Sequence, residues 1–184
     1  AGATLDASGP AGGGSVRIGG DWQGGGALPR ALTTTVDGAT TIAADALDSG
    51  DGGSVVVWSD GHTRFDGRIS ARGGPLGGDG GMAEVSGKAR LSFTGIADLS
   101  APRGALGTLL LDPGNIVISD GATTGEFVDA DEDGGVTLAA IPVENAAFEP
   151  AQADSILNAA DLVEQLEVSN VLVASSFAFA GDGN

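Results

Sequence analysis

Gly50-Asp-Gly-Gly-Ser-Val-Val-Val-Trp58 and Gly78-Asp-Gly-Gly-Met-Ala-Glu-Val85 place the same four residues directly before a short β-prone run. Gly12-Gly-Gly-Ser-Val-Arg-Ile18 upstream and Gly104-Ala-Leu-Gly-Thr-Leu-Leu-Leu111 downstream repeat the design. Each unit follows a run ending in Ala: Leu5-Asp-Ala7, Ala44-Asp-Ala46, Ile69-Ser-Ala71 and Leu99-Ser-Ala101. Between that Ala and the last Gly lies a loop of Gly, Ser, Pro and Asp. Aligning the last glycines (Gly14, Gly53, Gly81, Gly107) gives intervals of 39, 28 and 26 residues, where solenoid repeats lie.

Such runs are too short for isolated hairpin cores, and glycine permits tight corners and close stacking of successive turns. Alternation puts Val16 and Ile18 inward with Arg17 outward, and sets Val55 and Val57 opposite Val56 and Trp58. An interior of Ala, Val, Ile and Leu with only 4% aromatics suits a narrow tube of aliphatic ladders. Intervals of 26–28 leave no room for βαβ units with full helices. Burial is expected for Val16, Val55, Val57, Val85, Leu91, Leu109, Leu111 and Ile116. An antiparallel sandwich with Gly-rich hairpins is the alternative, although the Gly-Gly signals precede strands and do not occupy two-residue turns.

The chain has 184 residues, enough for one domain with a sizeable core. Glycine numbers 33 without a Gly-X-Y period, which excludes collagen, and 41% apolar content is too high for a disordered tail. Without Cys there is no disulfide framework, zinc-finger spacing or thiol nucleophile. A net charge of −17 argues against nucleic acid or an anionic membrane as partner. No run of about 18 apolar residues spans a membrane. The charge is uneven: residues 1–103 hold all 8 basic and 11 acidic residues, and residues 104–184 hold 14 acidic ones alone. The start at Ala1 and the end at Gly181-Asp-Gly-Asn184 read as the limits of a piece of a longer protein.

Gly13-Gly-Ser-Val-Arg-Ile-Gly-Gly-Asp-Trp22, Ser49-Gly-Asp-Gly-Gly-Ser-Val-Val-Val-Trp-Ser-Asp60 and Arg64-Phe-Asp-Gly-Arg-Ile-Ser-Ala-Arg-Gly-Gly74 resemble the large exoproteins of the filamentous haemagglutinin type. So do residues 81–93, Gly107-Thr-Leu-Leu-Leu-Asp-Pro-Gly-Asn-Ile-Val-Ile118, Leu157-Asn-Ala-Ala-Asp-Leu-Val-Glu-Gln-Leu166 and Asn170-Val-Leu-Val173. The resemblance covers most of the chain except roughly 119–153. It implies a right-handed parallel β-helix, two-partner secretion, and a place on the bacterial cell surface or in a released fibre. The amino-terminal secretion domain of that system is not visible here.

The expected fold is therefore all-β, a right-handed parallel β-helix with one short helix near 158–167. Residues 1–118 form Gly-rich coils, and residues 119–184 an acidic continuation with a loop insertion and the helix. Asn158 caps that helix, Asp161 stands at its third position, and Leu157 with Leu162 forms a hydrophobic staple. Ile156, Ala160, Val163 and Leu166 are expected on its buried face.

Asp129-Ala-Asp-Glu-Asp-Gly134 carries oxygen ligands at positions 1, 3 and 5 and a Gly at 6, which suits a calcium loop with Asp129, Asp131 and Asp133 as ligands. Position 12, where an EF-hand needs Glu, is Ala140, and the flanks read as strand. A solvated acidic loop is the alternative. Asp60, His62, Arg64, Asp66 and Arg68 share one face of an extended run, with Phe65 and Ile69 inward, although Asp66-Gly67 reads as a turn. Carboxylates near the sole histidine would allow acid–base work on an acidic polysaccharide. Trp22 and Trp58 would stack on sugars or cover a coil edge.

The sequence thus points to a structural and adhesive module with no catalytic residue and no certain cofactor. Its expected partners are further coils of the parent chain, identical copies or another subunit at the solenoid ends, with a cell-surface or glycan receptor. A polysaccharide lyase or hydrolase is the alternative. Both chain ends lack a cap, so Phe177 or Phe179 is expected to be covered.

Overall fold

The computed structural model describes residues 2–114, 116–119 and 155–174. Its strands are shared among sheets that the chain visits in rotation. Strands β1 (Thr4–Asp6), β4 (Thr41–Ala43), β7 (Arg68–Ser70) and β10 (Ile96–Asp98) lie side by side in the first sheet. The second holds β2 (Ser15–Ile18), β5 (Ser54–Ser59), β8 (Met82–Gly87), β11 (Thr108–Leu111) and β14 (Asn170–Val173). The third holds β3 (Thr33–Val36), β6 (His62–Phe65) and β9 (Arg90–Phe93), and β12 (Ile116–Ser119) pairs with β13 (Ser155–Asn158).

Every described ladder is parallel, so the antiparallel sandwich does not form. The glycine alignment sets the register. Ser15, Ser54, Met82 and Thr108, each just after an aligned Gly, stand opposite one another in the second sheet. Two facts explain why Gly is required there. Gly14, Gly53, Gly81 and Gly107 donate their N–H groups to the carbonyls of Ala7, Ala44, Ala71 and Leu99, closing the neck of each loop at 2.7–2.8 Å. A Cβ on Gly53, Gly81 or Gly107 would also overlap the carbonyl oxygen of the aligned glycine one turn earlier.

The three sheets enclose one core. Its ladders run Val16–Val55–Ala83–Leu109–Val171, Ile18–Val57–Val85–Leu111–Val173 and Leu5–Ile42–Ile69–Ala97. Phe65 and Phe93 stack from the third sheet with ring centroids 5.6 Å apart. Six of the eight residues expected to be buried are fully so, while Val16 and Ile116 pack half-buried against the same core.

The last described turn is built differently. β13 lies beside β9, with Leu91 N–H donating to Ser155 Oγ at 2.9 Å. Helix α1 (Ala159–Leu166) then takes the place of a strand beside β10, and β14 returns to pair with β11. Asn158 caps the helix through Oδ1, which accepts from Ala160 N–H at 2.7 Å, and Asp161 lies in the first turn. The expected buried face is corrected: Val163 and Leu166 are more than half exposed, and Leu162 and Gln165 face inward. The aliphatic pattern misled because the group this position needs is polar. Gln165 Oε1 accepts from Ala97 N–H at 2.8 Å, and Nε2 donates to Ala97 C=O at 2.5 Å and to Ser169 Oγ at 2.7 Å. A side-chain amide thereby closes the edge of β10 as a neighbouring peptide group would.

Candidate functional site

The charged row splits at a corner. His62 and Arg64 belong to β6, Asp66-Gly67 turns the chain, and Arg68 opens β7 in another sheet. Phe65 and Ile69 point into the core as expected. Asp66 Oδ2 accepts from Arg64 Nε at 2.7 Å and Oδ1 from Thr94 Oγ1 at 2.7 Å, while Asp60 pairs with Arg30 Nε at 3.0 Å. His62 has Arg90 opposite it on β9, and Arg64 lies two residues along β6. Burial first, then these two cations, hold its imidazole below the usual histidine range. The arrangement gives a neutral imidazole between guanidinium groups, with Asp60 and Asp66 each committed to an arginine.

Beside this corner a groove of about 290 Å³ runs between the stacked turns and α1. Gly38, Gly67 and Gly95 form its floor side, and Asp66, Arg68, Asp161 and Glu164 supply its charge. Carboxylates outnumber the arginine, so the groove suits a small polar or cationic group more than an acidic polysaccharide. Sequence reasoning found Asp66 and Arg68 but missed the helix carboxylates, because only the fold brings residues near 161 to residues near 66.

Trp58 is fully buried, which removes it as a sugar platform. Gly20 and Gly24 lie against its indole so closely that a Cβ on either would overlap the ring. The Gly-rich segment covers the tryptophan, the reverse of a tryptophan covering a coil edge. Trp22 is half-buried in that segment.

The buried acids were also missed. Glu84 reads as an outward residue between Ala83 and Val85, yet it is fully buried, its Oε2 accepting from Gln23 N–H and its Oε1 from Ser86 Oγ, each at 2.8 Å. Asp112 is 3% exposed, and among the described residues its Oδ1 accepts no hydrogen bond. Burial pushes both carboxyls above their ordinary range. The 39-residue first interval was the available signal, since extra chain has to lie over something.

Asp129, Asp131 and Asp133 lie outside the described residues, as do Phe177 and Phe179. Among the described residues no three His, Cys, Asp or Glu side chains gather to hold a metal ion, and no helix is long and apolar enough to cross a membrane. No protein-family model matches the chain, and neither does any curated protein.

Proposed function

We propose that the chain is a stretch of right-handed parallel β-helix acting as a rigid structural and adhesive module of a secreted bacterial surface exoprotein. The supporting observation is the three-column parallel stack, in which each of the first three turns adds one strand to each sheet around one aliphatic core. Such a stack gives length and stiffness without a central cavity, and leaves function to its outer face and ends. The right hand follows the strong preference of parallel crossover connections. Further coils of the parent chain, identical copies or another subunit cover the ends, and a cell-surface or glycan receptor meets the outer face.

The test has two arms. Protease shaving of intact producing cells should remove the segment, and the purified chain should bind a surface glycan or cell saturably while leaving acidic polysaccharides uncut. Retention of the segment inside shaved cells, or appearance of new polysaccharide ends, would overturn the reading. Calcium at Asp129, Asp131 and Asp133 belongs to the same proposal. Millimolar calcium, the range of weak extracellular sites at about 10⁻⁴–10⁻³ M, should raise the melting temperature over chelator. No shift, with Asp131→Asn also silent, leaves a solvated loop.

A further inference from the structure

Residues 19–32 connect β2 to β3, where later turns use only Asp60-Gly61 and Lys88-Ala89. They cross the outer side of β5 and β8 as a strap. Its ends are tied by Ala31 N–H to Gly19 C=O at 2.7 Å, and by Arg30 to Asp60 and to Gly24 C=O. Its middle, the single 3-10 turn Trp22–Gly24, holds Gln23 at φ 50°, a backbone conformation that residues with a Cβ seldom adopt.

A buried acid ties the middle of that turn to the sheet beneath it. The Gln23 N–H bond to Glu84 joins the strap to the middle of β8. Leu111 stands opposite Val85 with both in the core, so Asp112, the next residue, follows at the level of Ser86. Ser86 is itself bonded to Glu84. Among the described residues the charged groups around the pair are few. Arg17 on β2 acts on Glu84, but its Nε is bonded to Asp21 Oδ1 at 3.1 Å and its Nη1 to Ser54 Oγ at 2.7 Å. Asp21, on the strap, is bonded to Arg17 and to Trp22 N–H. The ladder neighbours of Glu84, Val56 on β5 and Leu110 on β11, carry no charge.

We infer that the strap is a proton-controlled latch, closed over Trp58 while the Glu84–Asp112 pair holds a proton and released when both acids ionise. Two neighbouring buried carboxylates, Glu84 beneath the strap and Asp112 beside it, with no cation hydrogen-bonded to either among the described residues, are costly. Burial raises Glu84 most; Asp112 adds to the rise, and the Gln23 N–H, Ser86 and Arg17 oppose it. A carboxyl raised in the closed state favours closure at low pH. The penalty for closing begins near the ordinary carboxyl value of about 4 and is complete above the raised value. The latch therefore holds in acid and loosens toward neutrality, and it operates whether or not the chain is part of a rod.

Hydrogen exchange at the Gln23 amide and acrylamide quenching of Trp58 test this in the full chain, in a Trp22→Phe background that leaves one indole. Between about pH 4 and about pH 8, exchange corrected for its intrinsic rate should rise about tenfold for each unit by which the pair is raised. Quenching should rise in step, while the Val57 amide in β5 stays protected. Glu84→Gln keeps the hydrogen-bonding shape without the charge and should abolish the pH dependence. Asp112→Asn should reduce it, and decides the matter if the first variant does not fold. A flat profile in the parent, a Gln23 profile shared by Val57, or a parental profile in whichever variant folds would overturn the latch.

Discussion

Glycine at the aligned corner positions is a packing requirement. A Cβ on Gly81 would meet the backbone of Gly52 and Gly53, which belong to a paired turn and cannot swing aside. Gly81→Ala should therefore cost about 1–3 kcal/mol, the range for forced overpacking, as read by denaturant unfolding. Gly38→Ala is the control: its Cβ would sit 3.5 Å from Asp66 O, an ordinary contact, so stability should stay level or rise by about 0.4–1 kcal/mol. Asp45 makes a pH-dependent contribution of the opposite sign to the buried pair. Burial would raise it, but the Arg72 side chain, Arg72 N–H and Ser70 hydroxyl outweigh burial and hold its carboxyl below the ordinary range. A depressed value stabilises the fold above the unfolded-state value, and that contribution is lost as pH falls through the folded one. Asp45→Asn should melt lower than the parent at about pH 7, and the gap should close below about pH 4. The glycines were legible because their spacing repeats. Asp45 and Glu84 were not, since a lone acid beside aliphatic residues reads the same whether its partner is water or a residue 27 or 61 positions away.

At the scale of elements, α1 is where pattern reading and structure part. Its cap follows from Asn158 and the residues after it, and the structure keeps it. Its buried face is decided by the edge of β10, which needs one donor and one acceptor at Ala97, and only Gln165 among the helix residues supplies both there. Hydrophobic periodicity cannot register such a demand. Gln165→Leu should preserve side-chain bulk and leave the Ala97 N–H and C=O buried without partners, at about 1–3 kcal/mol. The Ala97 amide should then exchange faster by native-state hydrogen exchange. Val163→Lys, on the exposed side, should change stability by no more than about 0.5 kcal/mol. Equal losses from both substitutions would mean that the helix is held by its apolar face after all.

At the scale of the whole stack, the first and last described turns differ. Inside, Ile42, Val55, Val57, Ile69 and Val85 are fully buried, but Leu5, Val16 and Ile18 on the first strands are only half covered. Among the described residues β1, β2 and β3 each pair on one side only. In the last described turn β10 is closed by Gln165 and by Leu99 N–H donating to Val168 C=O, while among the described residues β14 pairs on one side only. This half-closed turn was not legible, because the aligned interval jumps from 26 to the 62 residues separating Thr108 from Asn170. An unpaired parallel edge over a partly exposed aliphatic slice favours pairing with another chain. The excess of carboxylates beyond residue 103 opposes indiscriminate contact. Salt should then promote association by screening that repulsion. Sedimentation velocity at rising protein and salt concentration should show discrete oligomers. Val16→Lys, a charge turned inward on the edge strand β2, should suppress them while far-UV circular dichroism stays parental. A monomer at every concentration and salt, or oligomers indifferent to Val16→Lys, would place the contact somewhere other than this edge.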